Sequence, residues 1–262
     1  MEEKIFYDST DNIKLCGLLS KVNDSDKITI LCHGIRGNKN ERVSFIPLTE
    51  ELQRNNINSF RFDFRAHGES SGIDYEMTVT KEVQDLERTI DMLKSKGFKE
   101  FILLGASFGA SIISLLDYSK YNCVKSLICW YGAIDYLATI EEESFFAQDK
   151  KKIAEEKGYF TTVSKSSGRT FRFGKDLYDE VYSLKPYEDL IKLEKPILFV
   201  HGIIDDMVPY QLSEKISKMC KDSRLELIPN GNHTFDNDKE ALKEAINKTA
   251  IFIREMWEEK NG

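Results

Sequence analysis

Cysteine is sparse and scattered in this chain, and its distribution excludes two classes at once. The five cysteines stand at positions 16, 32, 123, 129 and 220. An odd number without a close Cys-x-x-Cys pair does not make a disulfide framework and fits reduced core thiols in a cytoplasm. Nor do the four histidines gather with them at the short spacings that zinc requires, so no metal site is expected. Basic charge is not in excess either: 37 Lys and Arg stand against 44 Asp and Glu, a formal net charge of −7. That balance argues against a nucleic-acid partner and mainly favours solubility. Long hydrophobic runs are absent. The longest nearly apolar stretch, 101–116, is interrupted by Gly105, Ser107, Gly109, Ser111 and Ser114 and is too short to span a membrane. The opening Met1-Glu2-Glu3-Lys4 lacks a following apolar segment, so no secretory signal is expected. No repeat or low-complexity segment breaks the chain.

What is present is an ordinary globular composition, 41% hydrophobic and 31% charged over 262 residues. That length suits one large domain or one domain with an insertion. Two alternating runs, 4–7 and 13–19, flank turn residues and predict an antiparallel hairpin. The short apolar run 28–32 then reads as a strand buried on both faces. From there strand-like and helix-like segments alternate. Helices are expected over 45–55, 78–96, 111–118, 211–220 and 239–257, and strands over 59–62, 101–104, 124–130, 196–200 and 224–228. Such alternation predicts an α/β fold, a mostly parallel sheet with helices on both faces. Residues 136–185 break the rhythm with charge runs (Glu141-Glu142-Glu143, Lys150-Lys151-Lys152) and aromatics including Phe145, Phe146, Tyr159, Phe160, Phe171 and Phe173. They are expected to form a cap inserted over the carboxyl edge of the sheet, where open α/β sheets bind ligands; a surface excursion is the alternative. The core domain is then 1–135 with 186–262.

The chemistry concentrates in loops that follow strands. Gly105-Ala106-Ser107-Phe108-Gly109 is a weak motif by itself. Here it follows an apolar strand and opens a helix, the setting of a nucleophile elbow. The competing reading is a tight turn whose serine caps the helix. A serine hydroxyl needs a base, and the elbow order requires an acid and then a histidine after later strands. His201-Gly202-Ile203-Ile204-Asp205-Asp206-Met207-Val208-Pro209 supplies the acid, Asp205, with Asp206 as its competitor. Asn230-Gly231-Asn232-His233 supplies the base, His233. His201 precedes the acid and is read as a structural histidine ordering the acid-bearing turn. The oxyanion requires two fixed N–H donors, expected from the backbones of Phe108 and Ile35, the latter in the His33-Gly34-Ile35-Arg36-Gly37 loop. Asp63, Arg65 and His67 are expected to form a hydrogen-bonded scaffold nearby.

These motifs, with Asp63-Phe64-Arg65-Ala66-His67-Gly68, resemble the α/β-hydrolase superfamily. Within it, the chain is similar to bacterial cinnamoyl/feruloyl esterase-like and serine-aminopeptidase-like hydrolases, and His33 to Asn40 adds to that likeness. The resemblance implies an eight-stranded sheet, a Ser107–His233–Asp205 triad with the acid on Asp205 rather than Asp206, and no metal or organic cofactor. Ala106 departs from it, since many relatives carry His or a larger residue there. The expected reaction is hydrolysis of a small-molecule carboxylic ester through an acyl-enzyme, with apolar or aromatic, cinnamoyl-type acyl groups favoured by the aromatics of 136–185. Thioesterase or peptidase activity on the same triad is the alternative, as is a non-catalytic binding protein on the same fold. A dehalogenase is excluded, because its nucleophile must be a carboxylate.

Overall fold

The computed structural model describes residues 2–41, 43–140, 144, 146–164 and 168–258. The Glu141-Glu142-Glu143 run and Phe145 lie outside the described residues. Eight strands form one sheet in the order β1-β2-β4-β3-β5-β6-β9-β10. They are β1 (Glu3–Asp8), β2 (Lys14–Ser20), β3 (Lys27–Cys32), β4 (Ser59–Asp63), β5 (Glu100–Ala106), β6 (Val124–Trp130), β9 (Ile197–Gly202) and β10 (Ser223–Ile228). β1 pairs antiparallel with β2 and β2 with β4, and every other pairing in this sheet is parallel. The expected α/β architecture and its eight-stranded sheet are therefore present.

Period-two alternation explains why the central strands read as continuous apolar runs. Phe101 and Leu103 of β5 enter one core while Ile102, Leu104 and Ala106 enter the other. Leu127 and Cys129 of β6 face the first, and Ile128 and Trp130 the second. The first core is covered by α2 (Val79–Ser95) and α3 (Phe108–Ser114), the second by α1 (Phe45–Arg54) and α8 (Lys239–Glu258). Buried on both faces, these strands have no polar face to show.

Residues 136–185 contain α4 (Gln148–Lys157), α5 (Lys175–Ser183) and a separate antiparallel hairpin of β7 (Tyr159–Val163) and β8 (Thr170–Gly174). The chain returns to the sheet through α6 (Pro186–Leu190), and α7 (Tyr210–Ser217) follows β9. One expected helix is shorter than its sequence suggests. α3 opens at Phe108, directly after the serine of the motif, but ends at Ser114 rather than 118, and a turn in which Asp117 accepts the Ser119 N–H at 3.0 Å follows it.

The strand order reverses between β3 and β5, where Cys32 pairs with Gly105. The loops leaving these two strands are thus side by side at a topological switch point, the place where open α/β sheets form clefts.

Candidate active site

Ser107 sits at the tip of the β5–α3 turn with φ 51° and ψ −116°, a combination few non-glycine residues adopt. Such strain costs of order 1–3 kcal/mol and persists only where the surroundings impose it. They do so here. The Ser107 N–H donates to Trp130 O at 2.8 Å, and its carbonyl accepts from Ala110 and Ala133 at 3.0 and 3.1 Å. Only glycine fits at either flank: a Cβ on Gly105 would meet Gly109 O at 2.4 Å, and one on Gly109 would meet Cys32 O at 2.3 Å. The hydroxyl does not cap α3, contrary to the competing reading of the motif. It lies 3.0 Å from His233 Nε2 instead.

His233 lies in the loop after β10. Asn232 organises that loop, accepting the Thr234 and Asp236 amides on its Oδ1 at 3.2 and 3.1 Å. The imidazole lies against Tyr131, ring centroids 4.9 Å apart, and Phe235 fills the space below between Tyr131 and Trp130. Its Nδ1 is 2.8 Å from Asp205 Oδ2. A carboxylate only accepts, so Nδ1 carries the proton and Nε2 is left to accept from Ser107.

Asp205 is gripped by its own loop: Oδ1 accepts the Met207 and Val208 amides at 2.8 and 2.9 Å. Its side chain has no exposed surface, whereas Asp206 is exposed. Burial alone would raise the Asp205 carboxyl, but hydrogen bonds from His201 and His233 and their charge outweigh it. The group is held well below the usual carboxylate range. His201 does more than order the turn, because its Nε2 is 3.0 Å from the same Oδ2.

The two expected oxyanion donors border the same cavity as Ser107. The orientation of the Ile35 amide follows from the peptide before it. Gly34 O accepts from His33 Nδ1 at 2.8 Å and from the Gly37 N–H at 3.0 Å. In a trans peptide the next N–H points the opposite way. Glu41, buried at 4% exposure, holds the other side by accepting the Gly34 N–H on Oε2 at 2.9 Å. Among the described residues the Ile35 and Phe108 amides donate to no protein acceptor. For Phe108, the first residue of α3, that is the normal condition of a helix N-terminus.

Below this loop the expected scaffold is a buried network. Asp63 accepts the Lys39 amide and Nζ, each at 2.6 Å, and the Glu69 amide at 2.9 Å. Arg65 makes a two-pronged pair with Asp85 at 2.9 and 2.8 Å. His67 Nδ1 donates to Arg65 O at 2.9 Å, and its Nε2 accepts the Arg36 N–H at 3.3 Å. Burial pushes His33 down to about 4 and, with His33 beside it, His67 down to about 3. Neither is suited to carry a proton near neutrality.

The cavity has a volume of about 90 Å³. Phe108, Tyr136 and Phe146 form one wall, with Tyr136 and Phe146 stacked on Phe108 at 5.5 and 6.1 Å. Arg36, Glu41, Ser164 and Met207 border it elsewhere. Glu41 and Tyr136 lie in no motif recognisable in the sequence, and Phe146 stands out there only as one aromatic among several. Among the described residues no three His, Cys, Asp or Glu side chains gather as metal ligands.

An eight-stranded sheet of this order with a serine at the β5 turn is the α/β-hydrolase fold, and the chain belongs to that superfamily of hydrolases. More narrowly, residues 23–156 match the family described as serine aminopeptidase, S33, and the chain belongs to it. It is 25% identical over 235 residues to "Uncharacterized protein YfhR" of Escherichia coli O157:H7, covering 88% of this chain and 73% of that protein. Against "Serine hydrolase BPHL" of Mus musculus the identity is 26% over 234 residues, covering 81% of this chain and 75% of the relative. The structure of Est1E from Butyrivibrio proteoclasticus with ferulic acid bound superposes with a TM-score of 0.78 at 23% identity. It spans 96% of this chain and 98% of that one. At that identity the likeness is one of fold.

Proposed function

We propose that the protein hydrolyses small-molecule carboxylic esters through an acyl-enzyme on Ser107. The observation that carries this reading is the unbroken line from Ser107 Oγ to His233 Nε2 at 3.0 Å and from His233 Nδ1 to Asp205 Oδ2 at 2.8 Å. In this reading Ser107 attacks the ester carbonyl as its proton passes to His233, and Asp205 steadies the imidazolium. The Ile35 and Phe108 N–H groups hold the tetrahedral oxyanion. The carbon–oxygen bond to the alcohol then breaks, and His233 returns the proton to the departing alkoxide. Water attacks the acyl-enzyme with its proton going to His233, and the carboxylic acid leaves as Ser107 regains a proton. No cofactor enters these steps.

The acyl group is taken to be small and apolar or aromatic, of cinnamoyl type. The aromatic wall of Phe108, Tyr136 and Phe146 supports this, as does the ferulic acid bound in the Est1E structure. Residues 136–185 act as the cap, because Tyr136, Thr139, Ser144, Phe146 and Ser164 border the cavity that holds Ser107. Five free thiols fit a cytoplasmic location; separately, no helix among the described residues is long and apolar enough to cross a membrane.

The test is a panel of ester, thioester and peptide substrates with wild type and Ser107→Ala, beside labelling by a fluorophosphonate. Ester turnover that falls by about 10³-fold or more in Ser107→Ala is expected. Thioester or peptide preference would move the reading within acyl transfer. An unlabelled, inactive wild type would leave a binding protein on this fold.

A further inference from the structure

Asp205 serves two imidazoles through one oxygen. His201 lies at the end of β9, fully buried, with its Nε2 3.0 Å from Asp205 Oδ2 and 2.9 Å from Val208 O. Both neighbours accept, so Nε2 carries a proton, and Nδ1 accepts from Ser213 Oγ at 2.8 Å. The carboxylate thus receives four N–H donors: Met207, Val208, His201 and His233. The first three are fixed by the fold, and the fourth belongs to the group that must gain and lose a proton.

Resting on the triad proposed above, we infer that His201 is a positioning residue of the reaction. By donating to the oxygen that also binds His233, it limits the negative charge Asp205 presents to that imidazole. It thereby sets the pH at which Ser107 is activated. A carboxylate stripped of one fixed donor is a more concentrated charge and stabilises a neighbouring imidazolium better. The depressed Asp205 carboxyl, for which the His201 hydrogen bond is a cause, is consistent with this sharing. The other groups facing His233 are Ser107 from the elbow and Tyr131 from the end of β6, with Arg36 and Glu41 bordering the cavity from the loop after β3. Those facing His201 are Ser213 of α7 and its own loop, with Leu227 of β10 as its sheet neighbour.

Two substitutions separate the ring nitrogens. In His201→Asn the short amide still reaches Ser213 but leaves Asp205 one donor short, and in His201→Gln the longer amide restores a donor near the Nε2 position. The acidic limb of kcat/KM reports the base of the free enzyme. It should move up by about 0.5–1 pH unit in His201→Asn and stay at the wild-type position in His201→Gln. An unmoved limb in a folded His201→Asn protein overturns the inference, as do equal shifts in the two variants. Should the variants fail to fold, wild type carrying ¹⁵N-histidine decides. Phosphonylation of Ser107 should shift the His201 Nε2–H resonance together with that of His233 Nδ1–H, and a stationary His201 signal sinks the inference. A protein that takes no phosphonate at Ser107 breaks the triad reading instead, which is a different outcome.

Discussion

At the scale of single residues, two neighbouring aspartates separate by burial and by the hydrogen-bond donors that meet them. Asp205 is enclosed and receives four donors, while Asp206 faces solvent. Asp205→Asn should lower kcat/KM by about 10³–10⁴-fold, because an amide cannot hold the Nδ1–H tautomer of His233. Asp206→Asn should stay within about threefold of wild type; steady-state kinetics on the ester panel compare them. Glu82 makes a different case. It is buried in α2 with Oε1 unpartnered, and burial first, then nearby Asp85, raises its carboxyl well above 4.5. Although its Oε1 lies 3.9 Å from His67 Nδ1, that histidine is pushed down to about 3, so no ion pair forms near neutrality. The native state therefore keeps a proton that the unfolded chain loses above 4.5, and stability falls as pH rises through that window. Glu82→Gln removes the loss. It should melt roughly 2–4 °C above wild type at pH 8 and show no gain at acid pH in calorimetric scans.

At the scale of elements, the β7–β8 hairpin shows how a segment with a weak local signal acquires a fixed position. β7 carries two threonines and is half exposed, so its alternation is short and polar. Its placement comes from distant partners: Phe171 lies 5.3 Å from His67, and Phe173 lies 5.8 Å from Phe146. Arg172 clasps Asp74 with side chain and backbone N–H together, at 2.7 to 3.3 Å, while stacking over Tyr75. Arg169 donates to Ala66 O at 2.7 Å, and Arg36 reaches Thr162 and Val163, tying the loop after β3 to the hairpin. Asp74→Asn should loosen this clamp. Limited proteolysis should cut within 159–174 several-fold faster, with a melting temperature lower by about 2–4 °C. Unchanged cleavage would mean that the buried aromatics alone hold the hairpin. By contrast β3, β5, β6 and β9 were legible from sequence because their two buried faces leave mostly apolar runs, such as Phe101-Ile102-Leu103-Leu104 and Leu127-Ile128-Cys129-Trp130.

For the whole molecule, acid stability follows from the network beneath the site. His33 and His67 are neutral in the fold at about 4 and about 3, against 6.5 in an open chain. Between 6.5 and about 4 the unfolded state binds more protons than the native state, so stability declines as pH falls through that window. The His33 contribution is fully lost below about 4 and that of His67 below about 3. The carboxylates held low, Asp205 and Asp74, act in the same direction at still lower pH. Urea unfolding across the acid range should show a fall on the order of several kcal/mol. His67→Gln should flatten that fall.

The sequence by itself determined the α/β alternation, the strand at which each loop begins and the order Ser107, Asp205, His233. All of these depend on local spacing: two-face burial writes an apolar run, and the elbow writes its glycines 105 and 109. What only the tertiary structure decided lies between residues far apart in the chain. Glu41 and His33 aim the Ile35 amide, Tyr136 and Phe146 wall the cavity, and His201 shares Asp205 with a histidine 32 positions later. Such pairings leave no periodic trace, because a hydrogen bond or a stacked ring depends on where strands end in space and not on how many residues separate its members.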